Sequence, residues 1–277
     1  MTIRFFSDKN RPVHLGPYPL ERLLRTSAPP DLEALPAMPP LSFHCPETPD
    51  SIVDAMGEYQ AMLDAIRVGL VNKSKAGCPD DPVERAEHLK AFGYFSDASL
   101  VGIGSLEKAC LLDEATRNPD IDRLASDLRT RQTTTLASGI DMIMADLKES
   151  MEAPPGGIGD HRFAIVFLYE YPRDPDPHEP GSAWIQNAQA ARACLRASET
   201  AVVIANYIRL LGHDARAHTP TASDIHLHRH AVAAGLAGVS HGCLVAPYVG
   251  ERFELAAVTT SFELGVDRPL APLEEQP

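Results

Sequence analysis

The hydrophobic pattern is most regular in the last third of the chain, from Ser182 to Thr260. Apolar residues after Ser182 recur at spacings of three, four or seven, which places them on one face of a helix. These residues are Ala188, Ala191, Leu195, Val202, Ala205 and Ile208. Ser182 is a suitable N-cap and Gly212 a suitable stop, so we predict one long helix between them. We expect any binding site to be built on this helix and the elements that follow it.

Other apolar stretches predict the remaining elements. Short continuous runs predict buried strands, and runs with a period near 3.6 predict helices. The predicted strands span 98–105, 163–171, 215–218 and 254–260, and the predicted helices span 51–71, 82–95, 107–113, 118–150 and 224–236. Few, widely spaced strands among many helices indicate a mixed α/β layer of the α+β class, with one sheet and helices against it.

The first 50 residues have a different composition. Ten of the 24 prolines lie between Pro12 and Pro49, and each proline removes a backbone donor and favours extended geometry. Such a stretch is either a disordered tail or an extended arm laid over the domain or a partner. Its many apolar residues, among them Phe5, Leu23 and Phe43, favour the docked arm. We therefore divide the chain into a proline-rich extended arm, 1–50, and one domain, 51–277.

Composition narrows the class of protein. The formal net charge of −13 argues against binding to nucleic acid or to an anionic membrane, since both reward lysine and arginine. The sequence lacks an apolar run long enough to span a bilayer, and its N-terminus lacks a secretory signal pattern. Five cysteines without a CxxC pair fit a reducing compartment. We expect a cytoplasmic protein.

Isolated motifs give little evidence for a metal, phosphate-binding or nucleophile site. Six of the eleven histidines fall between His213 and His241, but on a helix only His226 and His230 share a face. No third ligand accompanies this pair, so we favour a polar helix face over a zinc site and assign no metal. The glycine run 156–159 precedes a strand instead of opening a helix, which indicates a loop. Cys243 lies two residues from His241, which could perturb its thiol, but we interpret this bare pair as a coincidence and not as a nucleophile pattern.

Four segments, taken together, resemble a known family. ANYIRLLGHDARAH (205–218) and HAVAAGLAGVSHGCLVAPYVGERFELAAVTT (230–260) resemble the corrinoid-binding domain of reductive dehalogenases and epoxyqueuosine reductases. HLKAFGYFSDASLVGIGSLE (88–107) and AIVFLYEYP (164–172) resemble that family's earlier helix and strands. The segments follow the family's order over most of 85–268.

The resemblance implies a fold similar to nitroreductases and to the cobalamin-processing protein of vitamin B12 metabolism. Cobalamin would lie base-off between the sheet and the last helices, with a glycine-rich turn against it. The resemblance implies that Tyr171 is the proton-donating tyrosine and that His241 is its positive partner. The implied cofactor-binding residues are Asn206, Gly235, Ser240, Gly242 and Leu244.

Two departures from the family pattern bear on function. The turn that reads GLGExGR in the family lacks its glutamate here, and His241 stands for the basic residue. The family's CxxCxxCxxxCP segment is absent, so we expect no iron–sulfur cluster in this chain. In these respects the chain resembles the extra N-terminal domain of long cytoplasmic reductive dehalogenases, which carries no cofactor.

Three hypotheses follow. The chain is a cobalamin-dependent oxidoreductase that reduces an organohalide or processes the corrinoid, with electrons from a reductase or ferredoxin-like partner. Alternatively, it is a cofactor-free structural, assembly or regulatory partner of a catalytic reductive dehalogenase. A flavin-dependent reductase is a third, weaker hypothesis, because no basic cluster for a flavin phosphate is evident. A catalytic sister subunit or a second copy of the chain is the expected protein partner.

Overall fold

The computed structural model describes residues 11–35, 41, 43, 51–123, 126 and 157–276. Its helices are α1 (Val53–Ala65), α2 (Pro82–Phe95), α3 (Ala188–Leu210) and α4 (Leu227–Ala233). Its strands are β1 (Leu100–Ser105), β2 (Leu111–Thr116), β3 (Phe163–Glu170), β4 (Ala215–His218), β5 (Ser223–Ile225), β6 (Gly238–Ser240), β7 (Cys243–Val245) and β8 (Phe253–Thr260). Within these residues, no helix has the length and apolarity that crossing a membrane requires. The predicted α+β class is confirmed.

The main sheet has four antiparallel strands in the order β1-β3-β8-β4. β3 and β8 form its centre and pair along their whole length, from Phe163 opposite Thr260 to Glu170 opposite Phe253. Their continuous apolar sequences suit this position, because a central strand covered on both faces has no solvent side. Two short ribbons, β2 with β5 and β6 with β7, lie beside the sheet.

One face of the sheet packs against α2 and α3. Ile165, Phe167 and Tyr169 point to this face, because side chains alternate along β3. Small residues of α3, such as Ala197 and Ala201, are fully buried against them. The alanines let the helix backbone approach the sheet closely, which explains the alanine-rich sequence of α3.

The opposite face is covered by α4 and by segments from both ends of the described chain. Val166 and Leu168 of β3 point to this face. Leu20, Leu23 and Leu32 from the first 50 residues are buried in the same cluster, together with Leu270. Residues 11–35 therefore lie against the domain, and their apolar side chains extend the core on this face of the sheet.

Several element boundaries differ from the prediction. The long helix begins at Ala188, because Asn187 has a left-handed backbone with φ of 58° that separates it from the preceding 3-10 turn. The helix predicted over 107–113 is wrong, since a short 3-10 turn there leads into β2. The helix predicted from 224 starts at Leu227, because β5 takes the preceding residues. Most of the helix predicted over 118–150 lies outside the described residues.

Candidate functional site

Tyr171 lies one residue beyond β3, at the end of the central pair of strands. Its backbone N–H donates a hydrogen bond to the carbonyl of Arg252, 3.1 Å away. Its half-buried ring packs on the α3 side of the sheet. There it lines a cavity of about 560 Å³ together with Tyr169 and residues of α3. The volume lies within the range typical of small-ligand pockets.

The electrostatic surroundings of Tyr171 favour its protonated form. Burial raises the pKa of Tyr171, and the negative charge of Glu254 raises it further, whereas Arg252 lowers it. Glu254 is itself buried, and desolvation raises its pKa to about 8. The resemblance implies that His241 would lower the pKa of Tyr171, but His241 is not among the groups that act on the tyrosine.

The glycine-rich turn after α4 is covered by the chain itself. Gly235 has a φ of +66°, a left-handed conformation that favours glycine. The guanidinium of Arg25 donates a hydrogen bond to the Gly235 carbonyl at 2.8 Å and another to the Arg268 carbonyl at 2.9 Å. A Cβ at Gly235 would overlap both the Arg25 guanidinium and the Arg268 carbonyl. The close approach that this glycine permits is therefore taken by Arg25.

Four other predicted residues belong to the β6–β7 hairpin. His241 and Gly242 form its turn, both with positive φ, and both are exposed. The Ser240 hydroxyl lies 3.0 Å from His241 Nδ1, within hydrogen-bond distance. Leu244 is buried in the cluster on the α4 side of the sheet. The hairpin thus places one side chain in the core and its polar turn in solvent.

The structure does not bring the predicted site residues together. Tyr171 packs on the α3 face of the sheet, whereas Leu244 packs on the opposite face. Asn206 lies on the exposed side of α3. Among the described residues, the cavity beside Tyr171 is lined by neither Asn206 nor His241, nor by the glycine-rich turn.

The described residues do not fit a corrinoid in the place that the resemblance implies. That place is the space between the sheet and the last helices, where the glycine-rich turn would touch the cofactor. In this chain Leu20, Leu23 and Leu32 occupy the cluster on that face, and Arg25 occupies the turn. A planar macrocycle would have to displace these side chains.

The histidines of α4 also do not form a ligand set. His226 lies just before the helix, with its ring 5.6 Å from that of His228, centroid to centroid. His230 is fully buried, and desolvation lowers its pKa to about 4. In the part of the chain that is described, no group of three or more His, Cys, Asp or Glu side chains is placed to hold a metal ion.

Sequence reasoning missed two features of these regions. The first is Arg25, whose position in a proline-rich segment gives no pattern that points to Gly235. The second is the arginine-lined wall of the cavity beside Tyr171. Arg192 and Arg196 fall at spacings of three and seven from Gln189, so a search of α3 for polar residues on one face could have found that wall.

Comparison with solved structures gives matches that cover nearly all of this chain. No protein-family model matches the chain, and no curated protein does. The solved structure of the catabolic reductive dehalogenase NpRdhA, N-terminally tagged, is 36% identical, covers 99% of this chain and 32% of its own, and has a TM-score of 0.70. Its complex with 3-bromo-4-hydroxybenzoic acid is 34% identical with a TM-score of 0.71, covering 99% of this chain and 32% of its own.

Two further matches differ from each other in sequence identity and TM-score. A reductive dehalogenase structure described in terms of B12-dependent dehalogenation is 35% identical, covers 99% of this chain and 32% of its own, and has a TM-score of 0.71. Epoxyqueuosine reductase from Streptococcus thermophilus is 12% identical, covers 66% of this chain and 48% of its own, and has a TM-score of only 0.37. The chain spans about a third of the length of the dehalogenases it matches, at 32%.

Proposed function

We propose that this chain, which belongs to the reductive dehalogenase family, works without a cofactor of its own. Within that family it is a reductive dehalogenase-like domain. In this proposal the domain is a structural or assembly partner of a separate catalytic region that binds the corrinoid. That region is either a further part of a longer chain or a sister subunit.

The contact between Arg25 and Gly235 carries this proposal. In a corrinoid-binding domain the glycine-rich turn would have to stay open for the cofactor, because glycine is required where another group approaches the backbone closely. Here Arg25 makes that approach, and its guanidinium bonds hold residues 11–35 to the turn and to Arg268. The side chains of the domain itself occupy the space that a corrinoid would need.

The scattered positions of the predicted catalytic residues support the same proposal. A proton donor and its positive partner must lie within hydrogen-bond reach of one substrate atom, directly or through one water. Tyr171 lies at a cavity on the α3 face, and His241 lies in an exposed hairpin turn. The domain supplies no joint acid–base pair from these residues.

Association with a catalytic region tests the proposal directly. The purified domain is titrated into a purified, corrinoid-loaded catalytic region of a reductive dehalogenase, and binding is followed by calorimetry. We expect saturable one-to-one association that raises the unfolding temperature of the catalytic region, since a ligand that binds only the folded state stabilises it. Absence of association with the catalytic region, together with saturable cobalamin binding by the domain alone, would overturn the proposal.

A second candidate function is a corrinoid-dependent oxidoreductase fed by an electron-donating partner. The observation that favours it is Tyr171 beside a cavity of about 560 Å³. Under this candidate, the domain with added cobalamin and a strong chemical reductant dehalogenates an aryl halide, and Tyr171→Phe abolishes the reaction. The first proposal expects no turnover from either protein.

A further inference from the structure

The proposed cofactor-free role gives no function to the cavity beside Tyr171. Its polar lining on α3 comes from Gln189, Arg192 and Arg196, which share one face at the N-terminal end of the helix. Arg252, opposite the end of β3, lines the other side. Three arginines thus line one cavity, beside the acidic residues Asp97 and Glu170, in a protein whose formal net charge is −13.

Two of these arginines keep their positive charge available. Arg196 pairs with Asp97 and lies over the ring of Tyr169, 5.9 Å from its centroid. Among the described residues, Arg192 and Arg252 have no ion-pair partner. Glu170 also lines the cavity, and its carboxylate accepts a hydrogen bond from the Tyr18 hydroxyl at 3.1 Å. With Arg196 paired to Asp97, Arg192 and Arg252 remain against the one carboxylate of Glu170, so the lining has a net excess of one positive charge.

Gln189 adds a requirement for a hydrogen-bond donor. The side-chain oxygen of Gln189 is inaccessible to solvent and has no hydrogen-bond partner within the described residues. A buried acceptor without a donor is unfavourable, so a ligand that donates to it, once the amide group turns towards the cavity, relieves this cost. The hydroxyl of Tyr169 is already engaged with the Ser96 carbonyl and the Thr200 hydroxyl, 2.7 Å away.

We propose that this cavity binds a small organic anion. Its oxyanion, a carboxylate or a phosphate, lies between Arg192 and Arg252, and a hydroxyl or amino group of the same molecule donates to Gln189. Guanidinium groups suit both oxyanions because they donate two parallel hydrogen bonds. The proposed anion site rests on the lining of the cavity and not on the absence of a corrinoid. An experiment that contradicts the anion site therefore leaves the cofactor-free role untouched, and the reverse also holds.

Calorimetric titration with three probes tests the proposal. The probes are 4-hydroxyphenylacetate, phenylacetate, which lacks only the hydroxyl, and inorganic phosphate. We expect 4-hydroxyphenylacetate to bind about tenfold more tightly than phenylacetate, which corresponds to one satisfied hydrogen bond. Stronger binding of phosphate than of both carboxylates would assign the site to phosphorylated molecules.

Variants locate the site. Arg192→Gln and Arg252→Gln each weaken binding of the best probe about tenfold or more, because each removes a charge-assisted hydrogen bond. Gln189→Leu abolishes the difference between the two phenylacetates. Arg117→Gln, at an exposed arginine outside the cavity, is the matched control and leaves affinity unchanged. Thermal unfolding of each variant verifies that it is folded.

Two results would overturn the proposal. One is the absence of saturable binding of all three probes up to ~10 mM, which is weaker than specific small-ligand recognition requires. The other is binding that Arg192→Gln and Arg252→Gln weaken no more than Arg117→Gln does.

Discussion

The guanidinium of Arg25 donates a hydrogen bond to the carbonyl of Gly235, 210 residues further along the chain, at 2.8 Å. The same nitrogen also donates to the carbonyl of Arg268, and a second nitrogen lies 3.3 Å from the carbonyl of Leu20. One side chain therefore joins the proline-rich arm, the glycine-rich turn and the C-terminal segment. This arrangement is the physical basis of the proposal that the domain works without a cofactor of its own.

Alanine at Gly235 should be far more destabilising than alanine at Gly242. Both glycines have positive φ, 66° and 80°, so both variants incur the left-handed backbone penalty of about 1–2 kcal/mol. Only at Gly235 would the new Cβ meet Arg25 and Arg268, whereas the space at Gly242 is open. We expect a loss of about 3 kcal/mol or more for Gly235→Ala by urea unfolding. Equal losses would show that the turn is not covered.

Removal of the Arg25 side chain should loosen the arm. Arg25→Ala leaves the Gly235 carbonyl without this donor, and we expect the free energy of unfolding to fall by about 1–3 kcal/mol. Hydrogen exchange should increase in residues 11–35. Arg25→Lys, which retains a charge but offers a single donor group, should fall between the wild type and Arg25→Ala. Unchanged exchange in both variants would contradict the assigned contact.

Much of the fold follows from local sequence. The segments FAIVFLYE and FELAAVTT are mostly apolar, as two central strands covered on both faces require. Asp81 followed by Pro82 marks the start of α2, where the Asp81 side chain accepts from the N–H of Val83 at 2.9 Å. By contrast, the start of α3 depends on the left-handed Asn187, a conformation that periodicity does not encode.

The candidate site was less predictable, because it depends on which face of the sheet each residue occupies. Tyr171 ends a predicted strand and Leu244 follows the glycine-rich turn, but their packing on opposite faces of the sheet is a tertiary property. The contact of Arg25 with Gly235 is likewise long-range, and no local pattern signals it. The family resemblance assigned roles to these residues without information on the arm that covers the turn.

The hydroxyl of Thr259 links two buried histidines. The N–H of Asp224 donates to His218 Nδ1 at 3.1 Å, so His218 Nε2 carries the proton and donates to Thr259 Oγ1 at 2.8 Å. The Thr259 hydroxyl then donates to His161 Nδ1, also at 2.8 Å. Thr259→Val removes the shared hydroxyl with little change of shape.

We expect Thr259→Val to lower the free energy of unfolding by about 2–3 kcal/mol, because two buried imidazoles lose a partner. Thr259→Ser retains the hydroxyl and should lose only the small contribution of one methyl group, about 1 kcal/mol. Denaturant unfolding at neutral pH measures both. A valine variant as stable as the serine variant would show that the link contributes nothing.

Glu254 should make stability depend on pH. Burial raises its pKa to about 8 from 4.5, so between these pH values the folded state retains a proton that the unfolded state has lost. The contribution of Glu254 to stability is therefore lost as pH rises through this window. Glu254→Gln should be more stable than the wild type by about 2 kcal/mol or more at pH 8.5, with a smaller difference at pH 5.

The exposed Glu251→Gln is the control for this pH dependence. Urea unfolding of the three proteins at both pH values gives the comparison. If Glu254→Gln and Glu251→Gln show the same pH dependence as the wild type, the buried carboxyl does not titrate in this window.

Absorbance titration of the purified domain with hydroxocobalamin and with cob(II)alamin tests the central claim most directly. The account predicts that the spectra of both cobalamins remain those of the free compounds at every protein concentration, for the wild type and for Arg25→Lys alike. A saturable shift of the wild-type titration to the base-off spectrum, with one cobalamin per chain, would contradict it and show that the space held by Arg25 and the arm opens for the cofactor.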